Sequence, residues 1–317
     1  MRSNDFQAEL LLRLGEGARA LPERFRLRQS RYLMEVQQAD GGFAGRRGGS
    51  DLYYTHFALS AAEVLGLEER LFWQRASEFL RARSAIARDL VECYALLTSN
   101  GLLARRGLGL GREPLGAAEE VLSALRDPRG GFRSTSDSPP AVYHTYIADL
   151  CYRLLGRKMP EVENSVAFVK AQKSADGGFL AGPSSGGLAL TSPTAAAAVF
   201  LTCRGALETL EVWAAARFLI SMQDASSGLL AHSAADGADL LSTFTALVSL
   251  DRLGAARGLD LGAVARFVRN LALESGGFRA GPSDDATDPE YAWYGLGALS
   301  LLSAVAHSER CACGCSP

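Results

Sequence analysis

A short glycine-aromatic string recurs along the chain, and that recurrence constrains the fold more than any other feature of the sequence. It reads Asp40-Gly-Gly-Phe43, Arg129-Gly-Gly-Phe132, Asp176-Gly-Gly-Phe179, Ser226-Ser-Gly-Leu229 and Ser275-Gly-Gly-Phe278. From Phe132 to Phe179, Leu229 and Phe278 the steps are 47, 50 and 49 residues, and Phe43 to Phe132 spans 89, close to two steps. One degenerate unit therefore lies between Phe43 and Phe132, giving six units of roughly 48 residues. Repeats escape the limit on the size of a single core, so residues 1–306 are read as one domain.

The units share one grammar. An amphipathic segment comes first, as at Leu261, Val264, Val268 and Leu271, or Val162, Val166 and Val169; its single wet face places it outside. The glycine turn follows, where a glycine admits positive φ and the Phe can plug the gap between helices. After a loop, often with Gly-Pro, a second helix begins that is apolar nearly all round, as in Ala195 to Leu201, and so lies inside. It commonly ends in Leu-Gly, at Leu65-Gly66, Leu155-Gly156 and Leu253-Gly254, where glycine suits the helix C-terminus. The reading is all-α: six inner and six outer helices forming an α/α barrel or an open solenoid, between which periodicity does not choose.

Composition excludes other classes. The 33 Lys and Arg stand against 35 Asp and Glu with no long run of either sign, which argues against a nucleic-acid partner. The N-terminal stretch offers only a three-Leu apolar run flanked by charge, and Gly187 to Cys203 is short and broken by Ser, Thr and Pro. Neither a signal peptide nor a transmembrane segment is expected, and Cys93, Cys151 and Cys203 in apolar surroundings suit a reducing cytoplasm. The other three cysteines, Cys311, Cys313 and Cys315, crowd into residues 307–317, expected to be a disordered tail.

Gln37-x-x-Asp40-Gly-Gly-Phe43 is similar to the Gln-x-x-Asp-Gly-Ser-Trp repeat of squalene cyclases, and the whole unit resembles the repeats of protein prenyltransferase β subunits. That resemblance covers nearly the full chain. It implies a closed α/α toroid with a central cavity open at one end, an isoprenoid or prenyl diphosphate as ligand, and an α-subunit-like protein partner as an open question. In prenyltransferases Asp, Cys and His hold zinc while Arg, Lys and Tyr hold the diphosphate. Here Gly42-Phe43-Ala44-Gly45-Arg46-Arg47 and Asp51-Leu52-Tyr53-Tyr54 match the Arg, Asp and Tyr slots, with Tyr53 where the zinc thiolate would stand. Tyr143-His144-Thr145 matches the histidine slot, and Asp288-Pro289-Glu290-Tyr291 puts Glu290 in the thiolate slot. Cys93, in the degenerate unit just before that of His144, is the candidate thiolate, with Asp89 or Glu92 as oxygen ligand; zinc is the one cofactor the resemblance implies. His56 lies two residues beyond the histidine slot and is expected to face elsewhere.

Three functions follow as expectations. The first is transfer of a prenyl group from its diphosphate, with Arg46 and Arg47 on the anion. Aromatics at inner-helix starts (Tyr53, Tyr54, Phe57, Tyr143, Tyr146, Phe244, Tyr291, Trp293 and Tyr294) would hold the chain and steady a cation. The second is terpene cyclisation begun by a carboxylic acid from the acidic group Asp284, Asp285, Asp288 and Glu290; Asp51, in the family's Asp slot, is with Asp288 and Glu290 a catalytic candidate. The third is a non-catalytic toroid that binds a lipid or a protein.

Overall fold

The computed structural model describes residues 6–84 and 87–312. Thirteen α-helices account for nearly all of its regular structure, beside one two-stranded ribbon of β1 (Leu229–Leu230) and β2 (Ala238–Asp239). Six helices form an inner ring: α3 (Leu52–Leu65), α5 (Leu90–Ala104), α7 (Val142–Leu154), α9 (Thr191–Cys203), α11 (Leu240–Arg252) and α13 (Pro289–Ala312). Each packs on the next, and α13 returns to α3, so the ring closes. Six outer helices alternate with them: α2 (Glu23–Val36), α4 (Arg70–Arg83), α6 (Arg112–Ala124), α8 (Val162–Lys170), α10 (Thr209–Ser221) and α12 (Leu261–Leu271). Closure settles the choice that periodicity left open: this is a toroid of six inner and six outer helices. Ala58, Ala148, Ala197 and Ala246 are wholly buried, and small residues there let neighbouring inner helices approach closely.

The glycine turns set the stagger between units. Gly41, Gly130, Gly177 and Gly276 have φ of 87°, 99°, 92° and 99°, the left-handed region that side chains disfavour. The second glycine of each turn lies flat on an aromatic ring of the next unit's outer helix. A Cβ on Gly42, Gly131 or Gly178 would stand 2.5, 2.7 or 2.7 Å from Phe79, Phe168 or Phe218. In the sixth turn the second glycine, Gly277, meets the ring of Tyr32 on α2, where its Cβ would stand 2.9 Å from Cζ, so the last unit docks on the first by the same contact. Phe43, Phe132, Phe179 and Phe278 are buried plugs, as the turn pattern suggests.

A threonine ties each plug down. Thr55, Thr145, Thr194 and Thr243, one turn into their inner helices, accept the backbone N–H of Phe43, Phe132, Phe179 and Leu229 at 2.8–3.0 Å. Each hydroxyl donates to the carbonyl four residues back. Thr287 takes the same role for Phe278 from just before α13.

Helix α1 (Phe6–Arg19) stands outside the repeat. It crosses the end of the ring where the inner helices finish: Arg13 pairs with Asp251 and Glu9 with Arg252, and Gly17 lies against the backbone of Ser300 and Ala304. The final helix continues to Ala312, so the first part of the cysteine-rich tail is helical backbone; Cys313 and Cys315 lie outside the described residues. No helix among the described residues is long and apolar enough to cross a membrane.

Candidate active site

The inner helices enclose a cavity of about 390 Å³ near their N-terminal ends, floored by Phe6, Gln7 and Leu10 of α1. Counted from the capping residue of each inner helix, the second and fifth positions of all six units line it. The second positions are Tyr53, Val91, Tyr143, Ser192, Leu241 and Glu290; the fifth are His56, Tyr94, Tyr146, Ala195, Phe244 and Trp293. Residues three apart share one helix face, so two tiers of side chains point inward from every unit. The rings come from α3, α5, α7, α11 and α13, whereas α9 contributes Ser192, Ala195, Ala196 and Val199, so the space lies on the α9 side.

Of the aromatics predicted from the sequence, Tyr53, Phe57, Tyr143, Tyr146, Phe244, Trp293 and Tyr294 line the cavity. Tyr143 keeps 41 % exposure because it faces this space. Tyr54 and Tyr291 do not line it: both occupy the third position, rotated off the inward face. They sit at the rim, Tyr54 with its ring against Gly45 and Tyr291 beneath the Arg46 guanidinium at 5.2 Å. A Cβ on Gly45 would lie 2.2 Å from the Tyr54 ring, so a side chain there would push that ring aside.

The candidate carboxylates separate into two roles. Asp51 caps α3, accepting the Tyr54 N–H at 2.8 Å, and Asp288 caps α13 through the Tyr291 N–H at 3.1 Å. Burial raises both above the ordinary carboxylate range, although backbone donors oppose the shift. Glu290 alone of the three faces the cavity. The hydroxyls of Tyr53 (2.7 Å) and Tyr294 (3.2 Å) both donate to its Oε1, and neither engages Oε2. Desolvation raises the Glu290 carboxyl, the two hydroxyls pull it back, and the charge of Asp288 pushes it up again.

Arg46 lies at the rim, and among the described residues no arginine or lysine lines the cavity. Arg46 donates from Nε to Asp288 at 3.1 Å and from Nη2 to Asp284 at 2.5 Å, joining the first unit's loop to the sixth's. Its charge is already met by two carboxylates, which conflicts with the reading that reserves it for a diphosphate. Arg47 is exposed.

The zinc reading does not fit. Cys93 occupies in its unit the slot of the structural threonines, so its thiol turns away from the cavity toward Ala118 O of α6, 4.0 Å away. Burial pushes that thiol up to about 12, disfavouring the thiolate a metal needs. Asp89 caps α5 and Glu92 accepts the Arg88 N–H. His144, in the third position, is off the cavity face; its buried Nδ1 has no partner and burial lowers its pKa. Among the described residues no three His, Cys, Asp or Glu gather to hold a metal ion.

His56, set aside at the sequence level, is instead a cavity residue, as is Tyr94. The signal that finds both is the threonine one turn into each helix: with Thr55 and Cys93 aligned, His56 and Tyr94 share the fifth position.

The sequence profile of the prenyltransferase alpha-alpha toroid domain matches residues 25–72 and 149–313, well over half of the chain. The chain belongs to that family. A search of curated proteins gives no match. Among solved structures, the type II terpene cyclase MstE from Scytonema is similar over 94 % of this chain and 99 % of its own, with TM-score 0.62 and 13 % identity. A variant of that cyclase, in complex with the substrate geranylgeranyl dihydroxybenzoate, aligns with TM-score 0.61 at 12 % identity, covering 94 % and 99 %. The GH76A alpha-1,6-mannanase from Salegentibacter sp. HEL1_6 aligns with TM-score 0.60 at 12 % identity, covering 93 % of this chain and 99 % of the mannanase. A cyclase and a glycosidase share this toroid, so function is argued from the cavity itself.

Proposed function

We propose that this toroid binds an isoprenoid in its central cavity and isomerises or cyclises it by protonating an alkene, with Glu290 as the acid. The observation that carries this reading is the setting of Glu290: it faces an aromatic-walled cavity, its desolvated carboxyl is shifted toward the protonated form, and Oε2 is left without a hydroxyl partner. Proton transfer from Oε2 makes a new C–H bond and a tertiary carbocation. Charge then appears on Glu290 as a carboxylate already held by Tyr53 and Tyr294, the preorganisation that lowers a barrier. The faces and edges of Tyr53, Phe57, Phe244 and Trp293 surround the cation and exclude water. A cavity of about 390 Å³ falls within the roughly 300–1,000 Å³ of small-molecule sites.

Prenyl transfer from a diphosphate is supported less well. It needs free cationic donors where the leaving group departs, and here Arg46 is shared between Asp284 and Asp288 while no zinc ligand set forms among the described residues.

Incubation in D2O with geranyl, farnesyl and geranylgeranyl alcohols and their aromatic ethers tests the reading. The wild type is expected to yield an isomer carrying one deuterium on carbon, and Glu290→Gln to lose that product at least a thousandfold while keeping the wild-type melting profile. Deuterium-labelled product from Glu290→Gln at the wild-type rate sinks the assignment.

A further inference from the structure

The cavity holds a second proton-transfer group, which the acid-initiated reaction uses only if a proton must also leave the substrate. We propose that His56 is the catalytic base that ends this reaction, its Nε2 taking the proton from the carbon next to the final carbocation. The proposal rests on the reading of Glu290 as the acid.

Three observations place it. First, Nδ1 of His56 lies 2.5 Å from the Tyr53 carbonyl oxygen. A carbonyl can only accept, so Nδ1 carries the hydrogen and Nε2 keeps its lone pair. Second, the ring is a cavity wall, with Phe57 and Tyr94 at centroid distances of 4.0 and 5.5 Å, and Nε2 has no hydrogen-bond partner among the described residues. Third, His56 lies one helical turn deeper than Tyr53, whose hydroxyl holds Glu290. Acid and base therefore sit in successive tiers of one cavity, and an extended substrate can reach both.

Burial lowers the imidazole to about 4, so it is neutral at pH 7. A weak base suffices, because a carbocation is a far stronger acid than an imidazolium; what matters is an available lone pair held away from water.

The step balances. Glu290 gives a proton to one alkene carbon; the substrate's own π electrons form any ring bonds. Nε2 then removes a proton from the carbon beside the last cation, and that C–H electron pair becomes the new double bond. The product is an isomer of the substrate. The enzyme is left with Glu290 ionised and His56 protonated, and one proton passed back through solvent restores both.

His56→Phe keeps the ring and removes the lone pair. With an isoprenoid that the wild type converts to a single alkene, the variant should redirect at least tenfold more product into alcohols from water capture or alkenes with a displaced double bond. An unchanged product ratio overturns the proposal. A turnover-free arm uses two probes of equal shape, a prenyl dimethylammonium salt as cation mimic and its neutral hydrocarbon isostere. His56→Phe should weaken the ammonium at least tenfold by calorimetry and leave the isostere within twofold. Equal losses of both probes mark His56 as packing only and refute the base. If wild-type protein converts no isoprenoid and yet shows the selective ammonium loss, Glu290 as acid fails while a proton-accepting His56 stands.

Discussion

Replacing Tyr53 with Phe isolates what one hydroxyl does for the acid. The substitution keeps the ring and its edge contact with Phe57 at 4.9 Å, and it leaves the backbone carbonyl that fixes His56. It deletes the 2.7 Å donor to Glu290 Oε1. A hydrogen bond to a charged group contributes roughly 1.5–3 kcal/mol, and about 1.4 kcal/mol corresponds to one pH unit. The hydroxyl favours the carboxylate, so its loss should raise the Glu290 pKa further, by about 1–2 units. The reactive form is the protonated acid, present below that pKa and lost as pH rises through it. The alkaline limb of the kcat/KM profile should therefore move upward by about 1–2 pH units, while the plateau rate falls because a weaker acid protonates an alkene more slowly. Tyr294→Phe should shift the limb less, its donor being longer at 3.2 Å. Carboxyl-carbon NMR on protein labelled at glutamate, with the Glu290 signal assigned by Glu290→Gln, reads the same pKa without turnover. A limb that stays in place or moves down in Tyr53→Phe would refute the reasoning, because the hydroxyl would then not be stabilising the carboxylate.

Two further outcomes test the frame around the site. Thr145→Val leaves the buried Phe132 N–H without its 3.0 Å acceptor, and urea unfolding should show a loss of about 1–3 kcal/mol; equal stability would mean the tie is dispensable. Arg46→Met cuts the pair between the first and sixth units, one partner of which, Asp288, is 3 % exposed and the other, Arg46 itself, 36 %. It should cost about 1–3 kcal/mol, between the values for exposed and buried pairs, while isoprenoid alcohol binding stays within twofold. A tenfold loss of prenyl diphosphate affinity on replacing both Arg46 and Arg47 with Ala would instead place an anion site at the rim.

The ring of helices was legible because its cause repeats: the glycine pair, the plug and the two hydrophobic periods recur at nearly constant spacing. The direction of single side chains was less so. Tyr54 and Tyr53 are neighbours in a family-like string, yet a 100° step per residue turns one to the rim and the other to the cavity. Cys93 looks like a displaced ligand until the threonine slot is recognised, after which its thiol must face α6. Arg46 reads as an anion donor in sequence because its partners, Asp284 and Asp288, lie some 240 positions away and meet it only when the ring closes. Nothing in the repeat announces α1, which belongs to no unit and yet supplies the floor.

The contact of Gly277 with Tyr32 has a wider meaning for how this molecule holds together. In an open array the outermost units each lack a neighbour, and melting starts there. A circle has no outermost member. The second unit, which has lost its glycine turn, is flanked on both sides like the rest, so α5 stays in place through α3 and α7 and not through a turn of its own. Sequence drift in one sector is tolerated because the other five hold its two borders. The ring can in this way change the side chains facing its centre, one sector at a time, without giving up its circumference.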